Sequence, residues 1–281
     1  MRTKLGAFLC LLLGATVHAA QGLPRESPVP GGIAIIPLSP DGEPPPEVRY
    51  ENNRVMVLRH DGKWRAVVGL PLTVAPGPQV ITTHNRQGMT EKHAFLVHPK
   101  EYAEQRLKLK DRRMVEPTDA DLMRIEREQK LVQSLFHSWT DESIASLQFR
   151  LPVHGRISSV FGLRRYFNEQ PRLPHSGIDI AAPIGTPVVA PLDGTVMETG
   201  VYFFNGKTVF INHGQGLISM LNHLSRITVE RGVYVRQGQK LGEVGMSGRV
   251  TGPHLHWTIS LNNSRIDPAL FVPEITGGGK K

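Results

Sequence analysis

The 281-residue sequence predicts a mainly β protein with two domains, on three observations. Short runs of β-branched and aromatic residues recur between Gly and Pro turn signals, which is typical of antiparallel strands. One stretch alone, within residues 116–150, has the apolar spacing of an amphipathic helix. The chain is also long enough for about two domains of the usual ~150 residues. We therefore expect two β domains joined by a helix.

The N-terminus reads as a targeting segment. Arg2 and Lys4 precede an apolar run from Leu5 to Val17, which is followed by small residues up to Ala19. The run is shorter than the roughly 20 residues that span a bilayer, and it has the length of a secretory signal core. We expect residues 1–19 to be a cleaved signal peptide and the protein to be periplasmic or secreted. An uncleaved membrane anchor is the alternative.

Cysteine usage and charge limit the chemistry of the mature chain. Cys10 is the only cysteine, so cleavage after Ala19 would leave no disulfide and no thiolate for a metal. Loss of Arg2 and Lys4 would lower the formal net charge from +8 to +6. A basic exported protein suits an anionic partner, and the charge alone leaves cell wall, acidic lipid and nucleic acid open.

The N-terminal half is expected to form a small antiparallel sandwich. Residues 20–47 are rich in Pro and Gly and are interpreted as an extended leader with edge segments. Residues 48–115 contain the β-prone runs of the N-terminal β domain. The last run, "QRLKLKDRR", alternates leucines with basic residues. It predicts a buried leucine face and a basic face that is either solvated or docked on an anionic polymer.

A helix and linker are expected over residues 116–150. Thr118 is positioned to cap the helix, and Asp121 completes a capping box. An apolar stripe follows, which we interpret as a packing surface between the domains, at positions Leu122, Ile125, Val132, Phe136 and Trp139. Residues 151–273 return to strands and tight turns and are expected to form a second, nearly all-β domain. Residues 274–281 are expected to be a flexible tail.

Two histidine-containing segments predict a metal site in the second domain. In "GPHLHW", His254 and His256 would point to the same face of a strand. In "HSGID", His175 and Asp179 have an even spacing that also places them on one face of an extended segment. One His and one Asp from one segment, with one His from the other, make a donor set that suits zinc with an open fourth position. The spare imidazole can then exchange a proton with water.

Three further histidines of the second domain lie outside this set. His223, in "SMLNHLS", is a second candidate for the same rim, while His154 and His213 are expected to be structural, although His213 can instead orient a ligand. The sequence contains no HExxH motif, so a helical zinc site with a Glu base is excluded. The catalytic base would have to be histidine.

The segments around these residues resemble a known family. "SSVFGLRR", "HSGIDIAAPIGTPVVAPLDGTV", "NHLS" and "VRQGQKLGEVGMSGRVTGPHLHW" are similar to lysostaphin/LytM-type zinc metalloendopeptidases, which cut the peptide part of peptidoglycan. The resemblance covers roughly residues 152–272. It implies a duplicated β-hairpin catalytic domain with a groove across its sheet. The first domain also resembles the β-rich N-terminal domain of Gram-negative members.

The resemblance also implies roles for individual residues. His254 matches the catalytic base, and His223 matches its partner at the reacting centre. The positions that match the ligands of a single Zn²⁺ are His175, Asp179 and His256. The chain departs from many relatives in having Met220 and Leu221 where they have a Tyr before the "HL" histidine.

We therefore expect a zinc-dependent endopeptidase that hydrolyses peptidoglycan cross-links, with the D-alanyl-diaminopimelate type favoured. The expected partners are peptidoglycan stem peptides and further cell-envelope proteins, with no nucleic acid and no membrane span in the mature chain. The alternatives are an inactive relative that binds peptidoglycan and activates amidases, and a cytoplasmic phosphocarrier with a similar duplicated hairpin.

Residues 163–174 are expected to line the groove before the first ligand. Arg164, Arg165 and Arg172 in this segment either pair with stem-peptide carboxylates or are solvated. Asn168 is a further substrate-side candidate, which would occupy the open metal position in a latent form.

Overall fold

The computed structural model describes residues 22–38, 45–84, 89–142, 144 and 146–273. The expected signal peptide (1–19) and tail (274–281) lie outside the described residues. One α-helix, α1, spans Asp119–Phe136, and short 3₁₀ segments span Arg112–Met114 and Pro268–Leu270. Within these ranges, no helix combines the length and the apolar character needed to cross a membrane.

Strands make up most of the regular structure. In chain order the strands of the described residues are β1 Ile33–Pro37, β2 Glu47–Tyr50, β3 Asn53–Arg54, β4 Met56–His60, β5 Lys63–Gly69, β6 Gly77–His84, β7 Thr90–Val97, β8 Glu104–Leu107, β9 Arg156–Ser159, β10 Arg164–Phe167, β11 Gln170–Pro171, β12 Ile178–Ala181, β13 Pro187–Val189, β14 Gly194–Tyr202, β15 Gly206–Gly214, β16 Leu217–Ile227, β17 Tyr234–Val235, β18 Lys240–Val244, β19 His254–Leu261 and β20 Ser264–Ile266. The mainly β expectation is confirmed.

The N-terminal part is a sandwich of two small antiparallel sheets, as predicted. Their strand orders are β1-β5-β4 and β3-β2-β6-β7. The first sheet is buried on both faces: Ile33 and Val67 pack into the core of the C-terminal sheet, whereas Ala34, Ala66 and Val68 pack inside the sandwich. Burial on both faces explains why β5 is continuously apolar from Ala66 to Gly69. The range 20–47, expected as an extended leader, contains β1, which pairs with β5 along its length.

Strand β8 does not belong to the sandwich, although the sequence placed it there. It pairs in parallel with β10, and β11 completes a separate three-stranded sheet. The predicted alternation is present, since Leu107 and Leu109 pack with Phe167 while the basic side chains are exposed. The apolar face of β8 therefore packs against the β10–β11 hairpin, which brings the linker segment beside the second domain.

The C-terminal part is built on one antiparallel sheet of ten strands. Its main path runs β17-β14-β15-β16-β19-β12-β9, and β13, β18 and β20 attach at its sides. The long central strands bury a core that includes Trp257, Ile211 and Leu221, all fully inaccessible to solvent. The alternate residues of β16 and β19 face the opposite side of the sheet, where the groove lies.

Helix α1 begins with the predicted capping box. The Thr118 hydroxyl accepts a hydrogen bond from the Asp121 amide, and the Asp121 carboxylate accepts one from the Thr118 amide. The C-terminal half of α1 packs on the sheet through Phe136, which contacts the ring of Phe210 edge-on. Leu122, expected in the apolar stripe, is exposed instead, because Asp121 and Ile125 occupy the buried side of the helix there.

Candidate metal centre and groove

Two neighbouring strands bring the predicted donors together. Strands β12 and β19 are antiparallel, with Asp179 opposite His256 and Ala181 opposite His254. Because side chains alternate along a strand, both imidazoles of "HLH" lie on the side of Asp179. The ring of His254 is the more distant one, with Nε2 3.7 Å from Asp179 Oδ1.

Three donor atoms converge from these elements. His175 Nε2 lies 3.0 Å from both Asp179 Oδ1 and His256 Nδ1, and these two atoms are 2.7 Å apart. All three side chains are buried. His175 Nδ1 donates to the Val160 carbonyl at 2.7 Å, so its Nε2 carries a lone pair. His256 Nε2 has the Thr258 hydroxyl as its own partner at 2.9 Å. The set fits a divalent cation, which would take two imidazole lone pairs and one carboxylate oxygen.

The charge states of the donors favour metal binding. Burial opposes the charge on Asp179, but its close contacts with the rings of His175 and His256 outweigh burial and hold the pKa of this carboxyl well below its usual range. Burial lowers the pKa of His256 to about 4, although Asp179 acts in the opposite direction. At neutral pH the site therefore presents a carboxylate and a neutral imidazole, which are the forms that bind metals.

Gly177 makes this close approach possible. A Cβ at this position would lie 2.3 Å from the Trp257 carbonyl oxygen and 2.9 Å from His256 Nε2. Such contacts are far inside van der Waals distance, so a larger residue would separate the 175–179 segment from β19. The close packing of this segment against β19 therefore explains why a glycine lies between His175 and Asp179.

Two further imidazoles stand beside the donor set. The rings of His223 and His254 are 4.9 Å apart. His254 Nδ1 donates to the Gly252 carbonyl and His223 Nδ1 donates to the Ser247 carbonyl, each at 2.8 Å. Each ring therefore keeps its Nε2 free of backbone partners. Burial, followed by the proximity of His254 and His256, lowers the pKa of His223 well below its usual value.

The position of His223 depends on an irregular backbone. Its φ is +66°, in the left-handed region that favours glycine. The β15–β16 register jumps there, because Lys207 pairs with Leu224 while Val209 pairs with Leu221. Such a bulge re-aims a side chain that regular alternation would point elsewhere. A strained non-glycine residue beside the donor set is characteristic of functional sites.

Arg165 holds the second carboxylate oxygen of Asp179. Its Nη2 donates to Asp179 Oδ2 at 2.6 Å, which leaves Oδ1 directed at the two histidines. Its Nε donates to Gln105 Oε1 at 3.1 Å, and the Ser159 hydroxyl lies 3.3 Å from both Gln105 Oε1 and His175 Nδ1. A network from β8 therefore reaches two of the three donors. Sequence reasoning missed Gln105, because only the parallel β8–β10 pairing brings it here.

A groove of about 490 Å³ opens beside the donor set. Helix α1 forms one wall through Ile125, Glu128 and Val132, although the sequence had predicted only a packing role for it. Asn222, opposite His256 on β16, lines the cavity, and its Oδ1 is buried without a hydrogen-bond partner among the described residues. An unpaired buried acceptor is costly, and a substrate N–H can satisfy it.

The other residues expected on the substrate side have partners in the protein. Arg164 lies 3.6 Å from Glu104, and Arg172 donates to the Val115 carbonyl at 2.8 Å. Asn168 exchanges hydrogen bonds with the backbone of Leu109, at 2.9 and 3.2 Å. Of the predicted set in residues 163–174, the structure brings Arg165 to the donors, while the other three are bound to residues 104–115.

His213, expected to be structural, has a partner for each ring nitrogen. Its Nδ1 donates to the Asp193 carbonyl at 2.7 Å, and its Nε2 lies 2.9 Å from the Ser219 hydroxyl. Burial lowers its pKa to about 4, so the ring is neutral. His154, the other histidine expected to be structural, is exposed.

A groove floored by antiparallel strands, with a His-Asp-His donor set and two spare imidazoles, defines a candidate hydrolytic metal centre. Peptidase family M23 matches residues 173–268, and the Peptidase family M23 N-terminal domain matches residues 26–100. A Pseudomonas aeruginosa protein crystallised as a peptidase M23 is 42% identical and superimposes with a TM-score of 0.75, covering 88% of this chain and 95% of that one. The chain belongs to peptidase family M23.

Curated relatives are similar over less than half of the chain. The peptidoglycan DD-endopeptidase ShyA of Vibrio cholerae is 45% identical over 113 residues, which cover 39% of this chain and 26% of ShyA. The DD-carboxypeptidase/endopeptidase Mpg of Neisseria meningitidis is 41% identical over 131 residues, 46% of this chain and 30% of Mpg. The chain thus spans less than a third of the length of these relatives. The family resemblance seen in the sequence is confirmed.

Proposed function

We propose that the protein is an exported zinc-dependent endopeptidase that hydrolyses peptide cross-links of peptidoglycan. The observation that carries the proposal is the convergence of His175 Nε2, Asp179 Oδ1 and His256 Nδ1 within 3.0 Å, beside the imidazoles of His254 and His223. Two imidazoles and one carboxylate are a typical catalytic zinc set. The name of ShyA, a peptidoglycan DD-endopeptidase, supports the substrate, and that of Mpg, a DD-carboxypeptidase/endopeptidase, agrees with the type of bond.

The donor set, His254 and His223 have different roles in the proposed hydrolysis. A zinc ion held by the three donors would polarise the scissile carbonyl and lower the pKa of a water molecule from 15.7 to ~7. His254 accepts the proton of the attacking water at Nε2, since its Nδ1 already donates to Gly252, and returns the proton to the leaving amine. His223 would donate to the developing oxyanion from Nε2 only as an imidazolium, because its Nδ1 already donates to Ser247 and its lowered pKa keeps the ring neutral before that negative charge forms. Such a donor contributes roughly 10²-fold or more.

The groove suits an extended peptide. Its floor is formed by antiparallel strands, and Asn222 offers an unpaired acceptor next to His256. The D-alanyl-diaminopimelate cross-link is favoured by the DD-endopeptidase names of the relatives and by the N-terminal domain that matches the family. A net charge of +8 for the full chain suits an anionic cell wall.

Zinc analysis combined with digestion of sacculi tests the proposal. Protein purified without chelator should contain one zinc per chain, and Asp179→Ala and His256→Ala should lose it. His254→Ala should keep zinc and lose cleavage, whereas His154→Ala, at an exposed histidine outside the groove, should keep both.

Mass spectrometry of the released muropeptides identifies the bond that is cut. Conversion of cross-linked dimers to monomers by the wild type alone is the expected result. Zinc-free wild-type protein with an unchanged muropeptide profile would instead support the inactive, amidase-activating alternative. Wild-type cleavage by His254→Ala would remove its assignment as the base.

A further inference from the structure

Arg249 is a half-buried guanidinium on the groove wall whose charge has no partner. Its side chain forms no ion pair or hydrogen bond with any residue that the structure describes. Its guanidinium lies over two rings, with Cζ 4.0 Å from the centroid of Phe204 and 4.7 Å from that of Phe167. Stacking of this kind occupies the faces of a guanidinium and leaves its N–H donors free at the edge.

The surroundings of Arg249 are positive. Burial, and then the charges of Arg172 and Arg165, lower its pKa to about 10, so the group remains protonated at neutral pH. Among the described residues that line the cavity, Glu128 is the only acid. That carboxylate already accepts hydrogen bonds from Arg124 Nε at 2.6 Å and the Phe203 amide at 2.7 Å. The residues that the structure describes therefore supply no counter-ion to Arg249, and a partly desolvated, unpaired charge is costly.

A rigid turn fixes Arg249 beside the reacting centre. The Ser247 carbonyl accepts the hydrogen bond of His223 Nδ1 at 2.8 Å, and the Arg249 amide donates to the Phe204 carbonyl at 2.8 Å. Between them Gly248 has φ +78°, and a Cβ there would lie 2.4 Å from the Phe204 carbonyl oxygen. The turn that orients His223 therefore also aims the guanidinium into the same cavity.

We propose that Arg249 is a carboxylate-binding residue of the groove, which selects peptides with a free carboxylate next to the scissile amide over neutral peptides. The inference rests on the proposed function and names the chemistry of its substrate. The fork of guanidinium N–H groups matches a carboxylate with two parallel hydrogen bonds. Stem peptides that contain diaminopimelate carry such a carboxylate, whereas polyglycine bridges do not.

Matched peptides test the selectivity. Two synthetic peptides share one D-alanyl-diaminopimelate bond and differ only in whether the neighbouring carboxylates are free or converted to carboxamides. The zinc-loaded wild type should favour the free acid in kcat/KM by on the order of 10- to 100-fold. Arg249→Gln should lower that ratio to about 1, through a larger loss of kcat/KM on the free acid than on the carboxamide. Arg249→Lys, which keeps the charge but loses the fork, should retain part of the preference.

Arg265→Gln is the matched control. Arg265 lines the same cavity and stacks on Phe136 at 4.4 Å, but it already donates to the Asn263 carbonyl at 3.2 Å. Its substitution should leave the acid-to-amide ratio unchanged. A wild-type ratio in Arg249→Gln overturns the proposal, and so does an equal loss on both peptides, which would make Arg249 a purely structural clamp for the two rings.

A binding measurement separates this inference from the proposed function. The peptides are titrated into the zinc-loaded His254→Ala variant and into the same variant with Arg249→Gln, by calorimetry. Acid-selective binding that disappears with Arg249→Gln supports the subsite even if the wild type cuts neither peptide, in which case the proposed function alone fails. Equal affinity for both peptides, or no binding of either, overturns the subsite.

Discussion

The backbone at His223 predicts an unusual order of stability between two substitutions. With φ +66°, any side chain with a Cβ is strained there, and glycine is not. His223→Ala and His223→Gly both remove the imidazole and its hydrogen bond to Ser247, so they differ only in the Cβ. We predict that the Gly variant is the more stable of the two, contrary to the usual order in a strand.

The magnitude follows from two opposing contributions. A Cβ in the left-handed region costs about 1–2 kcal/mol. Glycine loses about 0.4–1 kcal/mol more than alanine through the entropy of the unfolded chain. The difference leaves His223→Gly ahead by about 0.5–1 kcal/mol, or about 2 °C in Tm for a chain of this size.

Urea denaturation of the paired variants, followed by circular dichroism, measures this difference. Arg226 provides the control pair, because it is exposed on the same strand and its φ is negative. There the Ala variant should be the more stable. If His223→Ala is at least as stable as His223→Gly while the Arg226 pair behaves normally, the bulge does not hold His223 under strain.

Three further predictions concern the buried histidine His213, the hydrogen bond from Arg165 to Asp179, and the tight packing at Gly177. In the folded protein the pKa of His213 is lowered to about 4. Its contribution to the free energy of unfolding, at most about 3 kcal/mol, is therefore fully present above about pH 6.5 and is lost as the pH falls towards 4. Denaturation between about pH 7.5 and 4.5 should therefore show a smaller acid destabilisation in His213→Gln, and parallel profiles would contradict this. Arg165→Met removes the hydrogen bond to Asp179 Oδ2 and should weaken zinc binding about 10-fold or more, as measured by chelator competition. An unchanged zinc affinity would show that Arg165 does not orient this carboxylate. Gly177→Ala should lower the free energy of unfolding by about 1–3 kcal/mol and reduce the zinc content. Gly252→Ala should do neither, because a Cβ at that position meets open space. Equal effects of the two substitutions would refute the packing argument.

The donor set was predictable because its logic is local. Alternation along a strand places His254 and His256 on one face whatever the strand pairs with, and the same rule relates His175 to Asp179. The chemistry of imidazole and carboxylate then restricts the cation. The capping box of α1 was predictable for the same reason, since Thr118 and Asp121 are three residues apart.

Features that depend on distant pairing were not predictable in this way. The alternation in "QRLKLKDRR" indicated a strand with a leucine face, but nothing in that run identifies β10 as its partner. The environment of Arg249 is formed by Phe167 and Phe204, which are 82 and 45 residues away in sequence. No glycine in the sequence marks the left-handed conformation at His223, because tertiary contacts impose that conformation on a histidine. The wall formed by α1 likewise follows from how the helix docks on the sheet.

We propose that His175, Asp179 and His256, from two segments of the chain, bind one zinc ion with the imidazole of His254 beside it. An anomalous difference map from crystals measured at the zinc absorption edge tests it most directly. We predict one peak, about 2.0–2.2 Å from His175 Nε2, Asp179 Oδ1 and His256 Nδ1. A peak elsewhere in zinc-loaded, folded protein, or a carboxylate of Asp179 turned away from both imidazoles, would contradict it.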